Sequence, residues 1–124
     1  MKRSVLVVDD DPLILRVVAT VLDLEEYDVV TATSGAEALA ALASGAPELV
    51  VTDVMMPEMD GIELIRRIRA DERHAALPII LLTAKDTDDD RKAGVAAGGD
   101  AYLTKPFSPL ELIDAIEALL EKRS

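Results

Sequence analysis

The chain has 124 residues, half of them apolar, with no cysteine, one histidine and a formal net charge of −11. That length supports one domain with a core of its own, and the absence of cysteine excludes a disulfide framework and thiolate metal sites. The acidity argues against direct contact with nucleic-acid phosphates or an anionic membrane surface, and no apolar run reaches the length of a membrane span.

In chain order, strand-like and helix-like patterns alternate. A first strand spans Ser4–Asp9 and runs into Asp9-Asp10-Asp11, with Asp11 as N-cap and Pro12 as first residue of a helix to about Glu26. A second strand, Asp28–Ala32, precedes a helix capped by Ser34 that carries Ala38, Leu39 and Leu42 and stops at Gly45-Ala46-Pro47. Leu49–Asp53 is the third strand, and Gly61 to about Ala70 is the third helix, with Ile62, Leu64, Ile65 and Ile68 as its apolar stripe. Ile79–Thr83 is followed by a helix within Asp88–Ala97 that Gly98-Gly99 ends. Finally Ala101–Leu103 leads to a helix after Ser108, with Pro109 at its first position, Glu111 completing a capping box, and Leu112, Ile113, Ile116, Leu119 and Leu120 facing inward.

The first, third and fourth strands are continuous apolar runs, as expected of central strands covered on both faces. Five strands alternating with five helices predict an α/β fold around a parallel sheet. Met1-Lys2-Arg3 opens directly onto a strand pattern with no signal-peptide stretch, so a cytoplasmic location is expected. Tyr27, Tyr102 and Phe107 are the only aromatic residues, too few for a base-stacking platform.

Ligands of open parallel sheets bind outside the carboxyl ends of the strands. Four strand ends would bring Asp9, Asp10 and Asp53 together with Thr83 and Lys105. Taken singly, each has an ordinary explanation. The acidic triplet suits a helix N-terminus, Thr83 a strand end, Lys105 a solvated turn, Met55 and Met56 loop packing, and Tyr102 a half-buried strand aromatic. Their joint placement favours chemistry. Three close carboxylates raise one another's pKa unless a cation neutralises them, and an all-oxygen, water-rich site suits Mg²⁺, with Mn²⁺ as substitute, better than Zn²⁺. His74, in a polar stretch, is expected to be solvent-exposed. A carboxylate can attack a phosphoryl group to form an aspartyl phosphate, while a metal ion, the Lys105 ammonium and the Thr83 hydroxyl neutralise the transferred oxygens.

The motifs Val7-Val8-Asp9-Asp10-Asp11, Asp53-Val54-Met55-Met56-Pro57-Glu58-Met59-Asp60-Gly61, Leu82-Thr83-Ala84 and Tyr102-Leu103-Thr104-Lys105-Pro106-Phe107 give the chain its resemblance to the receiver domains of two-component response regulators. It covers essentially residues 1–124 as one domain and is chemotaxis-regulator-like. It implies a flavodoxin-like, doubly wound five-stranded sheet in the order 2-1-3-4-5. It further implies Asp53 as phosphoacceptor, with Mg²⁺ held by Asp10, Asp53, the Met55 backbone carbonyl and, through water, Asp9. Lys105 would pair with the phosphoryl group, with a cis bond to Pro106. Thr83 and Tyr102 would act as the switch pair reporting to the face of the fourth helix, fifth strand and fifth helix.

The implied partners are a sensor histidine kinase or histidine phosphotransfer protein and a downstream protein target at that output face. The domain would signal rather than act as an enzyme, while assisting its own phosphorylation and slow dephosphorylation. Met55 and Lys85, beside the site, imply a long-lived phosphoryl group. The acidic fifth helix, Glu111 to Glu117, argues against dimerisation on DNA, so a monomer is expected. The end at Ser124 favours a single-domain regulator or phosphorelay receiver over a transcription factor. Gly94 marks the fourth helix as a soft element, and Asp88-Asp89-Asp90 reads as its dipole-favoured first turn. The first helix is apolar over a wider arc than a core stripe needs, one edge being a candidate for docking kinase helices.

Two alternatives stand beside this. A haloacid dehalogenase-like phosphatase would use Asp9 as nucleophile with Asp11, Thr83 and Lys105, but lacks the later acidic pair and cap insertion and leaves Asp53 unexplained. A degenerate receiver used only for protein contacts would not need the complete set of phosphorylation residues.

Overall fold

The computed structural model describes residues 3–45, 47–84 and 88–123. Its elements alternate as β1 (Ser4–Val8), α1 (Pro12–Leu24), β2 (Asp28–Ala32), α2 (Gly35–Ser44), β3 (Leu49–Asp53), α3 (Gly61–Ala70), β4 (Ile79–Thr83), α4 (Asp88–Ala97), β5 (Ala101–Thr104) and α5 (Pro109–Arg123). The strands form one parallel sheet in the order β2-β1-β3-β4-β5, as the resemblance implied.

Side-chain alternation divides each apolar strand between two cores. Leu6, Val8, Val50, Ile79 and Leu81 pack with Leu42, Leu64, Ile65 and Ile68 of α2 and α3. Val5, Val7, Leu49, Val51, Ile80 and Leu82 face the other way, onto Leu15, Val18 and Leu22 of α1 and Leu112, Ile113 and Ile116 of α5. A continuous apolar run is thus the sequence form of a strand with no solvent face.

The helix starts follow their caps. Asp11 accepts from the Leu13 N–H at 2.9 Å, Ser34 from Glu37 at 3.1 Å and Asp60 from Glu63 at 2.8 Å. At α5 the capping box closes in both directions, Glu111 N–H to Ser108 Oγ at 3.1 Å and Ser108 N–H to Glu111 Oε1 at 3.2 Å. Helix α1 stops at Leu24, two residues short of the expected end, because Glu26 turns to φ 67° and the Tyr27 N–H returns to the Leu22 carbonyl at 3.0 Å. Strand β5 extends one residue further than expected, to Thr104, which pairs in register with Thr83.

His74 corrects the expectation of an exposed loop residue: it is only 6 % exposed. Its N–H donates to the Asp71 carbonyl and its own carbonyl accepts from Leu77, closing the turn after α3. The imidazole lines a small crevice with Leu39, Leu42 and Ile68, with Nδ1 3.6 Å from the Asp71 carboxylate. Hydrogen bonds from Arg73 hold the Asp71 carboxyl down to about 2. A polar neighbourhood in sequence does not tell which single side chain turns inward.

On α1 the surplus apolar surface stays in solvent, with Leu13, Val17 and Leu24 each at least half exposed. Among the described residues no helix is long and apolar enough to cross a membrane.

Candidate functional site

Asp9, fully buried, directly follows β1, and Asp53 is the last residue of β3 at 6 % exposure. These strands are neighbours at the centre of the sheet, paired as far as Val8↔Thr52, so the two carboxylates emerge side by side. Asp10 joins them from solvent. One carboxylate oxygen from each of Asp9, Asp10 and Asp53 lies within 4.8 Å of the others.

Lys105 reaches in from just beyond β5. Its Nζ is 3.0 Å from Asp9 Oδ2 and 3.4 Å from Asp53 Oδ1. Its N–H donates to the Thr83 carbonyl at 2.6 Å, which ties the two strand ends, and its bond to Pro106 is cis. The other Asp9 oxygen accepts from the Asp11 N–H at 2.9 Å.

Burial, then the charge of Asp9, pushes the Asp53 carboxyl above its ordinary value, although Lys105 and the Met55 N–H both pull it down. For Lys105 burial acts downward, but the hydrogen bond to Asp9 and the charges of Asp53 and Asp9 outweigh it, and its pKa is raised. Among the described residues the cluster opposes three carboxylates with one ammonium, at or just beyond the carboxyl ends of β1, β3 and β5. The chemistry of such a donor set suits a small, hard cation.

Thr83 is buried at the end of β4, one residue past Leu82, the partner of Asp53 in the sheet register. Met55 donates its N–H to the Asp53 carboxylate while its side chain is exposed. Tyr102 sits apart, on β5 beneath α4, opposite Leu81 in register. The Arg91 guanidinium lies 5.1 Å from its ring centre, and its buried hydroxyl has no hydrogen-bond partner among the described residues. The Asp11 carboxylate accepts from the Leu13 N–H as the cap of α1, and it is Asp10, not Asp11, that joins Asp9 and Asp53 in the acidic cluster. Lys85 lies outside the described residues, as do the side chains of Asp88 and Asp90.

Two residues with no expected part in the site shape its backbone. Gly61, which reads as a helix start and as the last residue of the Asp53–Gly61 motif, sits so tightly that a Cβ there would fall 2.2 Å from the Asp53 carbonyl oxygen. Thr52, which reads as a β-branched strand residue, is fully buried and donates its hydroxyl to that same oxygen at 3.0 Å. Its signal was being the one polar side chain in the run from Leu49 to Thr52.

The family model described as the response regulator receiver domain matches residues 5–117. The chain is 44 % identical over 119 residues to the protein TcrX of Mycobacterium tuberculosis, covering 96 % of this chain and 50 % of that protein. It is 41 % identical over 122 residues to the alkaline phosphatase synthesis transcriptional regulatory protein PhoP of Bacillus subtilis, covering 98 % of this chain and 50 % of that one. The chain spans about half the length of these curated relatives. Among solved structures, the chemotaxis protein CheY4 of Vibrio cholerae superimposes with a TM-score of 0.92 at 32 % identity, over 96 % of this chain and 99 % of that one.

Proposed function

The chain belongs to the response regulator receiver domain family of two-component systems, and on that premise we propose that residues 1–124 form a phosphoacceptor unit in which Asp53 takes a phosphoryl group from a histidine of a sensor kinase or phosphotransfer protein. The observation that carries this reading is the setting of Asp53: a nearly buried carboxylate at a central strand end, beside Asp9 and Asp10 and 3.4 Å from the Lys105 ammonium.

In the transfer, an Asp53 oxygen forms the new P–O bond as the P–N bond of the phosphohistidine breaks, and the imidazole leaves with the electron pair and takes up a proton. Charge in such a transfer spreads over the phosphoryl oxygens, so the protein's task is positioning and neutralisation. Lys105 can release part of its hold on Asp9 and Asp53 to meet one oxygen, and Thr83, from the adjoining strand end, supplies a hydroxyl to another. The cluster fits Mg²⁺, or Mn²⁺ in its place: Asp9, Asp10 and Asp53, with the Met55 carbonyl, would hold the ion. Bound there, it supplies positive charge to the phosphoryl oxygens. Thr83 and Tyr102 then link the site to the surface of α4, β5 and α5, where a downstream protein would dock.

Incubation with acetyl phosphate and Mg²⁺ followed by intact-mass measurement tests the assignment. A single phosphoryl adduct is expected, abolished by Asp53→Asn and by chelation of the metal. An adduct that survives Asp53→Asn, or none in the wild type, would remove Asp53 from the role.

A further inference from the structure

The acidic cluster accounts for the side chain of Asp53 but not for what holds its backbone. Asp53 is in register with Leu82 of β4, but on the β1 side the register ends at Val8↔Thr52, so towards β1 the Asp53 carbonyl lies one residue past the last pair. A carbonyl so placed needs donors from elsewhere. Thr52 meets the need with a hydroxyl donated at 3.0 Å. This hydroxyl is itself fully buried, and it lies on the face of β3 that carries Val50, against the core shared with α2 and α3. A hydroxyl in such a layer is tolerated only when hydrogen-bonded.

The other side of the same carbonyl is closed by Gly61, the first residue of α3. A Cβ at Gly61 would lie 2.2 Å from the Asp53 oxygen, 3.0 Å from Val54 Cα and 3.1 Å from the Asp53 carbonyl carbon, all backbone atoms. The Gly61 N–H also donates to the Val54 carbonyl at 2.8 Å, which locks the start of α3 to the end of β3.

We infer that Thr52 is a positioning residue for Asp53: its hydroxyl, opposed by Gly61, fixes the Asp53 peptide and so aims the carboxylate at the incoming phosphorus. The inference rests on Asp53 being the phosphoacceptor. Nucleophilic transfer is sensitive to sub-ångström aim, and a displacement of about 1 Å can cost on the order of 100-fold in rate. Without the Thr52 hydroxyl the Asp53–Val54 peptide is still held at its N–H, which donates to the Leu82 carbonyl at 3.0 Å, but its carbonyl end can tilt away from Gly61, and the carboxylate turns with it.

Thr52→Val, which keeps the shape and strand preference but removes the hydroxyl, is compared with Thr52→Ser, which keeps the hydroxyl. With acetyl phosphate, Asp53 forms its P–O bond as the bond from phosphorus to the acetate oxygen breaks and acetate leaves. At saturating Mg²⁺ the rate of adduct formation is expected to fall about tenfold in the valine variant and to return to within about twofold in the serine variant. The carboxyl carbon resonance of Asp53 in metal-free protein, read by NMR, is expected to move in Thr52→Val and return in Thr52→Ser, while amide resonances on the far side of the sheet stay in place. An unshifted Asp53 resonance with a wild-type rate in the valine variant overturns the inference and leaves Asp53 as acceptor. Equal loss in both variants overturns it as well, by assigning the effect to packing. An adduct in the wild type that does not depend on Asp53 overturns the functional reading, and the inference with it.

Discussion

Asp53 carries its charge against two penalties, burial and the neighbouring charge of Asp9, and the compensation from Lys105 does not cancel them. Its folded pKa therefore stands above the value of 3.8 taken for the unfolded chain. The folded protein binds the proton more tightly, so this group subtracts stability at neutral pH and the loss is recovered as pH falls through the folded pKa toward 3.8. Metal-free Asp53→Asn is expected to melt higher than wild type at pH 7, with the gap closing as the pH is lowered. Melting curves in the presence of chelator across that range check this, and a gap that is absent or widens in acid would contradict it. At Tyr102 the imbalance is of another kind: a buried hydroxyl with no partner among the described residues. An unsatisfied buried group costs about 1–3 kcal/mol. Tyr102→Phe is expected to be neutral or to stabilise the unphosphorylated protein by up to about 1 kcal/mol, measurable by urea denaturation; a clear destabilisation would show that the hydroxyl is satisfied.

Among elements, α4 and α5 cover the sheet on very different terms. Helix α5 buries Leu112, Ile113, Ile116 and Leu120, whereas Gly94 is the one buried residue among those described in α4. Gly94 sits where a Cβ would come within 2.6 Å of the Leu81 side chain, so the glycine that weakens the helix is also what lets it approach the sheet. Local opening follows apolar contact: α4 amides are expected to exchange with deuterium faster than those of α5, and equal protection would refute the contrast. Arg69, near the end of α3, holds the turn that follows α4. Its guanidinium donates to the Gly98 carbonyl at 2.7 and 3.2 Å, the Leu77 carbonyl at 2.6 Å and the Asp100 carboxylate at 2.9 Å. Arg69→Ala leaves those acceptors without their cation and is expected to cost about 2–3 kcal/mol, with exchange rising first around Gly98. Denaturation and exchange on the same variant test both parts, and a loss spread evenly over the molecule would argue against a hold local to the turn after α4.

For the whole molecule, a net charge of −11 means self-repulsion, and three of those charges meet in the acidic cluster of Asp9, Asp10 and Asp53. A divalent cation that binds only the folded state stabilises it by about 2.7 kcal/mol at a hundredfold excess over its dissociation constant. Mg²⁺ is expected to raise the melting temperature more than a monovalent salt of equal ionic strength, with the excess reduced in Asp53→Asn. Equal effects of the two salts would assign the stabilisation to screening alone.

Much of this architecture is legible in the chain. Asp11, Ser34 and Ser108 cap where they stand because capping is a local exchange of hydrogen bonds, and the runs Val5–Val8, Leu49–Val51 and Ile79–Leu82 read as strands covered on both faces. The strand-end acids and Lys105 are equally legible, because a parallel sheet gathers its carboxyl ends by topology. The inward turn of His74, the early stop of α1 at Leu24, the Tyr102 hydroxyl buried without a hydrogen-bond partner among the described residues, and the hold of Thr52 and Gly61 on one carbonyl were decided only by the tertiary structure. Each depends on which atoms of distant segments occupy the same few ångströms, and residue type and spacing carry no record of that.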